Sequence, residues 1–157
     1  IPNVWRHGDF LEINDRGGVI IYGRSDATLN PGEIRIGTAE IYEALDKINA
    51  IDDCLAVGKV TDNDEEIILF VKLKEKKSLS AKLKSEIIFC LKNNCSPRHV
   101  PHYILQISDI PYTINGKKVE IAIKNIVNGI RVENEDSISN SECLKEYIQK
   151  TQNINVQ

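Results

Sequence analysis

The sequence predicts an α+β fold: N-terminal β-hairpin elements followed by a small three-stranded sheet packed with helices. Three observations carry that expectation. The opening stretch alternates short β-type runs with glycine-rich turns, as in "DFLEI-NDRGG-VIIYG". From Thr38 onward, apolar residues switch between the 3.6-residue spacing of helices and the denser runs of strands, in the order α-β-β-α-β-α. Glycine, proline and asparagine punctuate almost every switch.

In the first hairpin, Gly17-Gly18 supplies turn conformations that a β-carbon would obstruct. "ATLNPGEIRIG" suggests a second hairpin turning at Asn30-Pro31-Gly32. Thr38 is a candidate N-cap, and Glu40 falls in the first turn, where the helix dipole favours a carboxylate. Ile41, Leu45 and Ile48 then mark one face of a short helix. "DCLAVGKVT" and "EIILFVKLK", joined by the polar "DNDE", read as neighbouring antiparallel strands. Ser80 caps the next helix, whose stripe is Leu83, Ile87, Ile88 and Leu91. Beyond Pro97 and Pro101, "HYILQI" is a third strand. Val119, Ile123 and Ile126 mark a last helix that begins near Lys118 and stops at Asn128-Gly129. After Arg131 the chain turns polar and acidic, and "ECLKEYIQK" reads as a docking helix.

At 157 residues the chain is long enough to bury a real core. It has no methionine and opens on "IPNVWRHGDF", which suggests a piece of a longer protein. A net charge of −3 argues against a general nucleic-acid binder. Cys54, Cys90, Cys95 and Cys143 form no C-x-x-C pair or zinc-type cluster, so no metal site is expected, and free thiols fit a reducing, cytoplasmic setting. No apolar run reaches membrane-spanning length, so no membrane partner is expected.

Three short stretches could carry chemistry. In "WRHGDF", Asp9 is either a turn carboxylate bonding its own backbone or a bidentate acceptor for neighbouring hydroxyls, as on a ribose. In "GRSDATLN", Arg24 is either part of a solvated turn or a planar donor fork for phosphate oxygens. Asp26 stands where the chain leaves one substructure for another, as hinge residues do. In "PYTINGKKVEIAIKNIV", Asn115-Gly116 reads as a type I′ turn, and the motif is not a P-loop. Lys117 is either that turn's solvated neighbour or a cation delivered to an anion beside a helix N-terminus. The histidines at 7, 99 and 102 form no catalytic set.

Taken in order, "WRHGDF", "GRSDATLNPGEIRIGTAEIY", "SPRHVPHYI" and "SDIPYTINGKKVEIAIKNIV" resemble the C-terminal part of the adenylate-forming acyl-CoA synthetases, nearest to the branch that activates acetoacetate. The tail "SNSECLKEYI" resembles that branch's C-terminal extension. The resemblance implies a two-step reaction in which a small carboxylic acid and ATP (with Mg2+) give an acyl-adenylate, from which CoA displaces AMP. Residue by residue, it implies that Lys117 is catalytic, that Asp26 is the hinge, and that Asp9, Arg24 and Arg35 serve the nucleotide. Gly32 and Gly37 would lie on the CoA side, and Mg2+ would bind mainly outside this region. It further implies three parts. Residues 1–25 would be the last strands of a large N-terminal domain, which is the chain's expected partner; 26–131 a mobile lid; and 132–157 an acidic linker and extension. Alone, the piece is expected to be inactive.

Two positions depart from the family's pattern. Ala27 stands where the acetate-activating enzymes carry a second acidic residue, and Glu33 stands where the family has glycine, next to the expected CoA approach. The acetate- or propionate-activating enzymes are the sibling alternative, and a stand-alone lid-like binding module is the alternative from another class.

Overall fold

A computed structural model describes residues 8–24, 27–132, 134–152 and 154, with the side chains of residues 9, 10 and 22–24 excepted. Strands β1 (Asp9–Ile13) and β2 (Val19–Arg24) pair antiparallel as a hairpin. At its tip the Asn14 side chain accepts from the amides of Arg16 and Gly18, at 3.0 and 2.8 Å, so the turn is held by an asparagine as well as by its glycines.

The expected second hairpin shrinks to a single bridge, Leu29 opposite Ile36, around a short 3-10 turn at Pro31–Glu33. Proline at the first turn position and two consecutive left-handed residues, Gly32 (φ 57°) and Glu33 (φ 62°), coil the segment too tightly for a longer ladder.

Helix α1 (Thr38–Leu45) follows, then strands β3 (Ile51–Val60) and β4 (Glu65–Leu73), helix α2 (Ala81–Asn94) and strand β5 (Tyr103–Ile107). Helices α3 (Glu120–Val127) and α4 (Leu144–Gln152) complete the order. Thr38 is not the cap of α1: Gly37 holds that position without a side-chain bond, and Thr38 is buried as the first helical residue. Ser80 does cap α2, accepting from the Leu83 amide at 3.2 Å. Ile88, assigned to the apolar stripe of α2, is instead exposed, since the buried face needs only Leu83, Ile87 and Leu91. The last of the expected helices, α3, starts at Glu120, two residues after Lys118.

The three-stranded sheet has the order β3-β4-β5, with β3 antiparallel and β5 parallel to β4. Its two faces are both covered, which explains why β3 and β4 read as near-continuous apolar runs. Cys54, Ala56, Ile67, Leu69 and Val71 point to one core, shared with Ile41, Leu45, Ile87 and Leu91 of α1 and α2. Alternate residues Leu55, Val57, Ile68 and Phe70 point to the other, shared with Ile123 of α3 and Tyr147 of α4.

Strand β3 lies at the sheet's edge, and side chains occupy the hydrogen-bonding groups it would leave open. Lys118 Nζ donates to the Cys54 carbonyl at 2.7 Å, and the Ala56 amide donates to the Tyr42 hydroxyl at 3.1 Å. Asn128 closes the far end, donating to the Gly58 carbonyl at 3.0 Å and accepting from the Val60 amide at 2.8 Å. Among the described residues no helix is long and apolar enough to cross a membrane.

Candidate functional site

The chain leaves β5 and enters a small hairpin that carries the "INGKK" motif. Its legs meet at a bridge between Tyr112 and Lys118. The Gly116 amide donates to the Thr113 carbonyl, and the Thr113 amide donates to the Lys117 carbonyl, both at 2.8 Å. Only Gly116 is left-handed (φ 74°); Asn115 is not, so the turn is a three-residue loop with a glycine bulge rather than the type I′ turn that Asn-Gly suggests. The Lys117 amide is tied to Thr113 Oγ1 at 3.1 Å, while the residue as a whole stays exposed. Among the described residues no carboxylate pairs with its ammonium.

Lys118 behaves in the opposite way. It is not a surface charge: its ammonium lies 2.5 Å from Asp53 Oδ1 and 4.2 Å above the centre of the Tyr42 ring, besides its bond to Cys54. Asp53 Oδ2 accepts from the Tyr112 hydroxyl. Tyr42 in turn donates to Glu120 at 2.5 Å, in the first turn of α3. Burial, followed by the charge of Glu120, raises the Tyr42 hydroxyl well above the ordinary phenol range, and burial pushes the Cys54 thiol up to about 12. Tyr112 is raised too, by burial and then by its bond to Asp53, so it stays a proton donor throughout the accessible pH range.

Alongside this hairpin runs the segment after Arg131. Thr113 bridges Ile138, the Ile114 amide donates to the Ser137 carbonyl at 3.2 Å, and the Tyr112 amide donates to Asn140 Oδ1 at 3.0 Å. The acidic stretch therefore contributes a buttressing strip, with Ile138 buried in the core beneath.

The Pro31–Glu33 turn sits elsewhere. The Gly32 amide donates to Asp64 Oδ1 at 2.6 Å and the Asn30 amide to Glu65 Oε1 at 2.9 Å. The Gly32 amide, together with the amide of Glu65, holds the Asp64 carboxyl below its ordinary range. A β-carbon on Gly32 would come within 2.2 Å of Arg98 Nη1. Glu33 keeps the left-handed backbone that glycine adopts most easily, and both residues are left-handed.

The turn meets the sheet where Val60 pairs with Glu65, whereas the lysine hairpin meets it at Asp53, opposite Lys72. Seven residues along β3 separate the two attachments, roughly 24 Å at about 3.4 Å per residue. The structure therefore does not bring Lys117 and Gly32 together.

Of the other expected site residues, Arg35 is exposed between this turn and α1, and Gly37 is buried as the cap of α1. Asp9 and Arg24 face each other in register at the open end of the β1–β2 hairpin, and their side chains lie outside the described residues. Asp26 also lies outside them. His99 joins Ser96 and Glu40, at 2.9 and 3.0 Å, and His102 accepts from the Ile67 amide at 3.1 Å; both secure loops to the fold. Among the described residues no three His, Cys, Asp or Glu side chains gather as a metal-holding group.

Asp53, Tyr112 and Asn140 escaped the sequence reading. Each acts on a partner far away in sequence, and no local pattern marks such a pairing.

No protein-family model matches the chain. Its relatives are nonetheless well defined. It is 49% identical to an acetoacetyl-CoA synthetase of Caenorhabditis elegans over 148 residues, covering 92% of this chain and 21% of that protein. A Rhizobium meliloti acetoacetyl-coenzyme A synthetase is 44% identical over 142 residues, covering 90% and 22%. Among solved structures, acetoacetyl-CoA synthetase from Streptomyces lividans superposes with a TM-score of 0.85 at 35% identity, covering 97% of this chain and 23% of that one. The chain belongs to the acyl-CoA synthetase family. An anthranilate CoA ligase in complex with anthranoyl-AMP shares the fold at 24% identity and a TM-score of 0.64, over 71% of this chain and 22% of that one. The α+β architecture is that of the C-terminal domain of these adenylate-forming acyl-CoA synthetases. The chain spans about a fifth of the length of the synthetases it matches.

Proposed function

We propose that this chain is the mobile lid of a cytoplasmic, ATP-dependent synthetase that converts acetoacetate to its CoA thioester, and that Lys117 is its catalytic lysine. The observation that carries the reading is the contrast between the two adjacent lysines. Lys118 is consumed by Asp53, Cys54 and Tyr42, while Lys117 is exposed on a hairpin braced at both feet. A cation held by hydrogen-bonded backbone, with no carboxylate partner among the described residues, is suited to an anion brought by substrate.

In the first half-reaction an acetoacetate oxygen attacks the α-phosphorus of ATP. The bond to the bridging oxygen breaks, and pyrophosphate leaves with the electron pair. Both reactants are negatively charged, so the ammonium of Lys117 placed between carboxylate and α-phosphate lowers a repulsion that is greatest in the transition state. In the second, the CoA thiol gives up its proton and its sulfur attacks the carbonyl carbon of the adenylate; the bond from that carbon to the bridging oxygen breaks and AMP leaves with that oxygen, a step in which Lys117 takes no part. The spacing of about 24 Å along β3 between the attachments of the lysine hairpin and the Gly32 turn supports assigning them to different half-reactions. One catalytic centre would meet them in turn as the lid swings about Asp26, with Gly32 and Gly37 on the CoA side. Asp9 and Arg24 would hold ribose and phosphates, with Arg35 as a further nucleotide contact. Residues 1–25 would belong to the large domain, 26–131 to the lid and 132–157 to its extension. Mg2+ accompanying ATP would bind mainly outside this region, held by the phosphates and the large domain.

The test is acid-dependent ATP–pyrophosphate exchange in the full-length enzyme with acetoacetate, acetate and propionate, with and without Lys117→Ala. Exchange that prefers acetoacetate and collapses in the variant, by about a hundredfold or more, supports the reading. Full exchange in the variant sinks the lysine's role, and preference for acetate reassigns the substrate.

A further inference from the structure

We propose that Asp53 is a positioning residue for adenylation, acting through the hairpin that carries Lys117; this rests on the catalytic reading of that lysine. The geometry is specific to one carboxylate. The hairpin has two feet, Tyr112 where it leaves the sheet region and Lys118 where it returns, and they bridge each other. Asp53 Oδ2 accepts from the Tyr112 hydroxyl, and Oδ1 receives the Lys118 ammonium at 2.5 Å. One side chain thus grips both feet, one oxygen to each.

Asp53 is well placed to act as an anchor. It lies on β3, whose neighbouring residues Leu55, Ala56 and Val57 are buried. Its carboxylate is itself fixed by the Cys54 amide, which donates to Oδ1 at 2.8 Å. Tyr42 completes the seat beneath Lys118: its ring faces the ammonium, while its hydroxyl joins β3 through the Ala56 amide and α3 through Glu120. The hairpin therefore inherits the rigidity of the sheet. Only its apex, from Ile114 to Lys117, is exposed. Loss of the grip would let the feet splay and the Lys117 ammonium wander, and an ångström of misplacement at a reacting centre costs up to about a hundredfold in rate.

The experiment uses the full-length enzyme and separates the half-reactions. Asp53→Ala is expected to lower kcat for acetoacetate-dependent ATP–pyrophosphate exchange by about ten- to a hundredfold, with KM for ATP little changed. Thioester formation from preformed acetoacetyl-adenylate and CoA should stay at the wild-type rate. A merely structural role predicts that both half-reactions fall together, and that result overturns the proposal. The double variant with Lys117→Ala provides the second readout. If Asp53 acts through Lys117, it should be no slower than Lys117→Ala alone, whereas additive losses overturn the proposal. Should Asp53→Ala not fold, Asp53→Asn decides instead, because it keeps an acceptor for Tyr112 while losing the charge that holds Lys118. An intermediate loss confined to exchange supports the grip, and a wild-type rate refutes it. Full exchange in Lys117→Ala, by contrast, removes the catalytic reading itself.

Discussion

The ring of Tyr147 lies 4.7 Å from that of Phe70, tilted by 55°, with both side chains fully buried. Phe70 is on the central strand of the sheet and Tyr147 on the last helix, so this contact joins the acidic C-terminal segment to the core. The Tyr147 hydroxyl donates to the Asp109 carbonyl at 3.1 Å. Tyr147→Ala should destabilise the domain by about 3–5 kcal/mol, and Tyr147→Phe by about 1 kcal/mol. Urea unfolding followed by far-UV circular dichroism measures both. Equal costs for the two variants would contradict the ring's packing role.

The clamp between the Gly32 turn and the start of β4 should be sensitive to acid. Asp64 has a folded-state pKa below its ordinary value of 3.8, because the Gly32 and Glu65 amides donate to it. Its contribution is therefore complete above the ordinary value and is lost as pH falls through the lower, folded-state one. Amide exchange at Gly32, corrected for intrinsic rates, should lose protection in acid below that value while the amides of β4 keep theirs. Asp64→Asn should weaken this protection already at neutral pH.

Backbone strain at Glu33 predicts a gain from substitution. Its φ of 62° is costly for a side chain bearing a β-carbon, by about 1–3 kcal/mol, whereas glycine adds about 0.5–1 kcal/mol of unfolded-state entropy. Glu33→Gly should leave a net stabilisation of about 1 kcal/mol, seen as a raised Tm. Gly32→Ala should go the other way, since the added carbon would displace the Arg98 guanidinium as well as straining φ.

Thiol chemistry offers a check on burial. Burial pushes the Cys54 thiol up to about 12 and the Cys143 thiol up to about 11, and neither is in a disulfide. At neutral pH the native protein should leave both unmodified by iodoacetamide, and denaturation should expose both. Mass spectrometry of tryptic peptides reads the result directly; rapid native labelling of Cys54 would mean that the Lys118–Tyr42 seat above it opens readily.

The sequence carried most of the fold because its local signals agreed. Ser80 capped α2 as its spacing suggested, the polar "DNDE" turned β3 into β4, and Asn128-Gly129 ended α3. Errors arose where local chemistry had rivals. Thr38 looked like a cap, but the backbone of Gly37 was better suited to that bend and the threonine went inside. Pro31 and Gly32 looked like a hairpin turn, yet amide bonds to Asp64 and Glu65 drew them into a tighter coil. At the candidate site, motif order pointed to Lys117 as the proposed catalytic lysine. It could not show that Lys118 beside it is spent on Asp53, a partner more than sixty residues away, because nothing in the neighbourhood of either residue records the other.

The parallel pairing of β5 with β4 has a consequence for how the domain is made. β3 and β4 are joined by a four-residue turn and can zip together at once, but Ile68 and Tyr103 pair across a long loop that contains all of α2. Closing that loop early is entropically costly, so β5 joins an already formed ribbon. The hairpin with Lys117 likewise docks on a distant partner, Asp53, and so also follows formation of the β3–β4 ribbon. Pulse-labelled hydrogen exchange during refolding should find β3 and β4 amides protected before those of Leu105 and Thr113. The segment assigned to catalysis should thus be a late one to acquire its shape and, by the same logic, an early one to lose it.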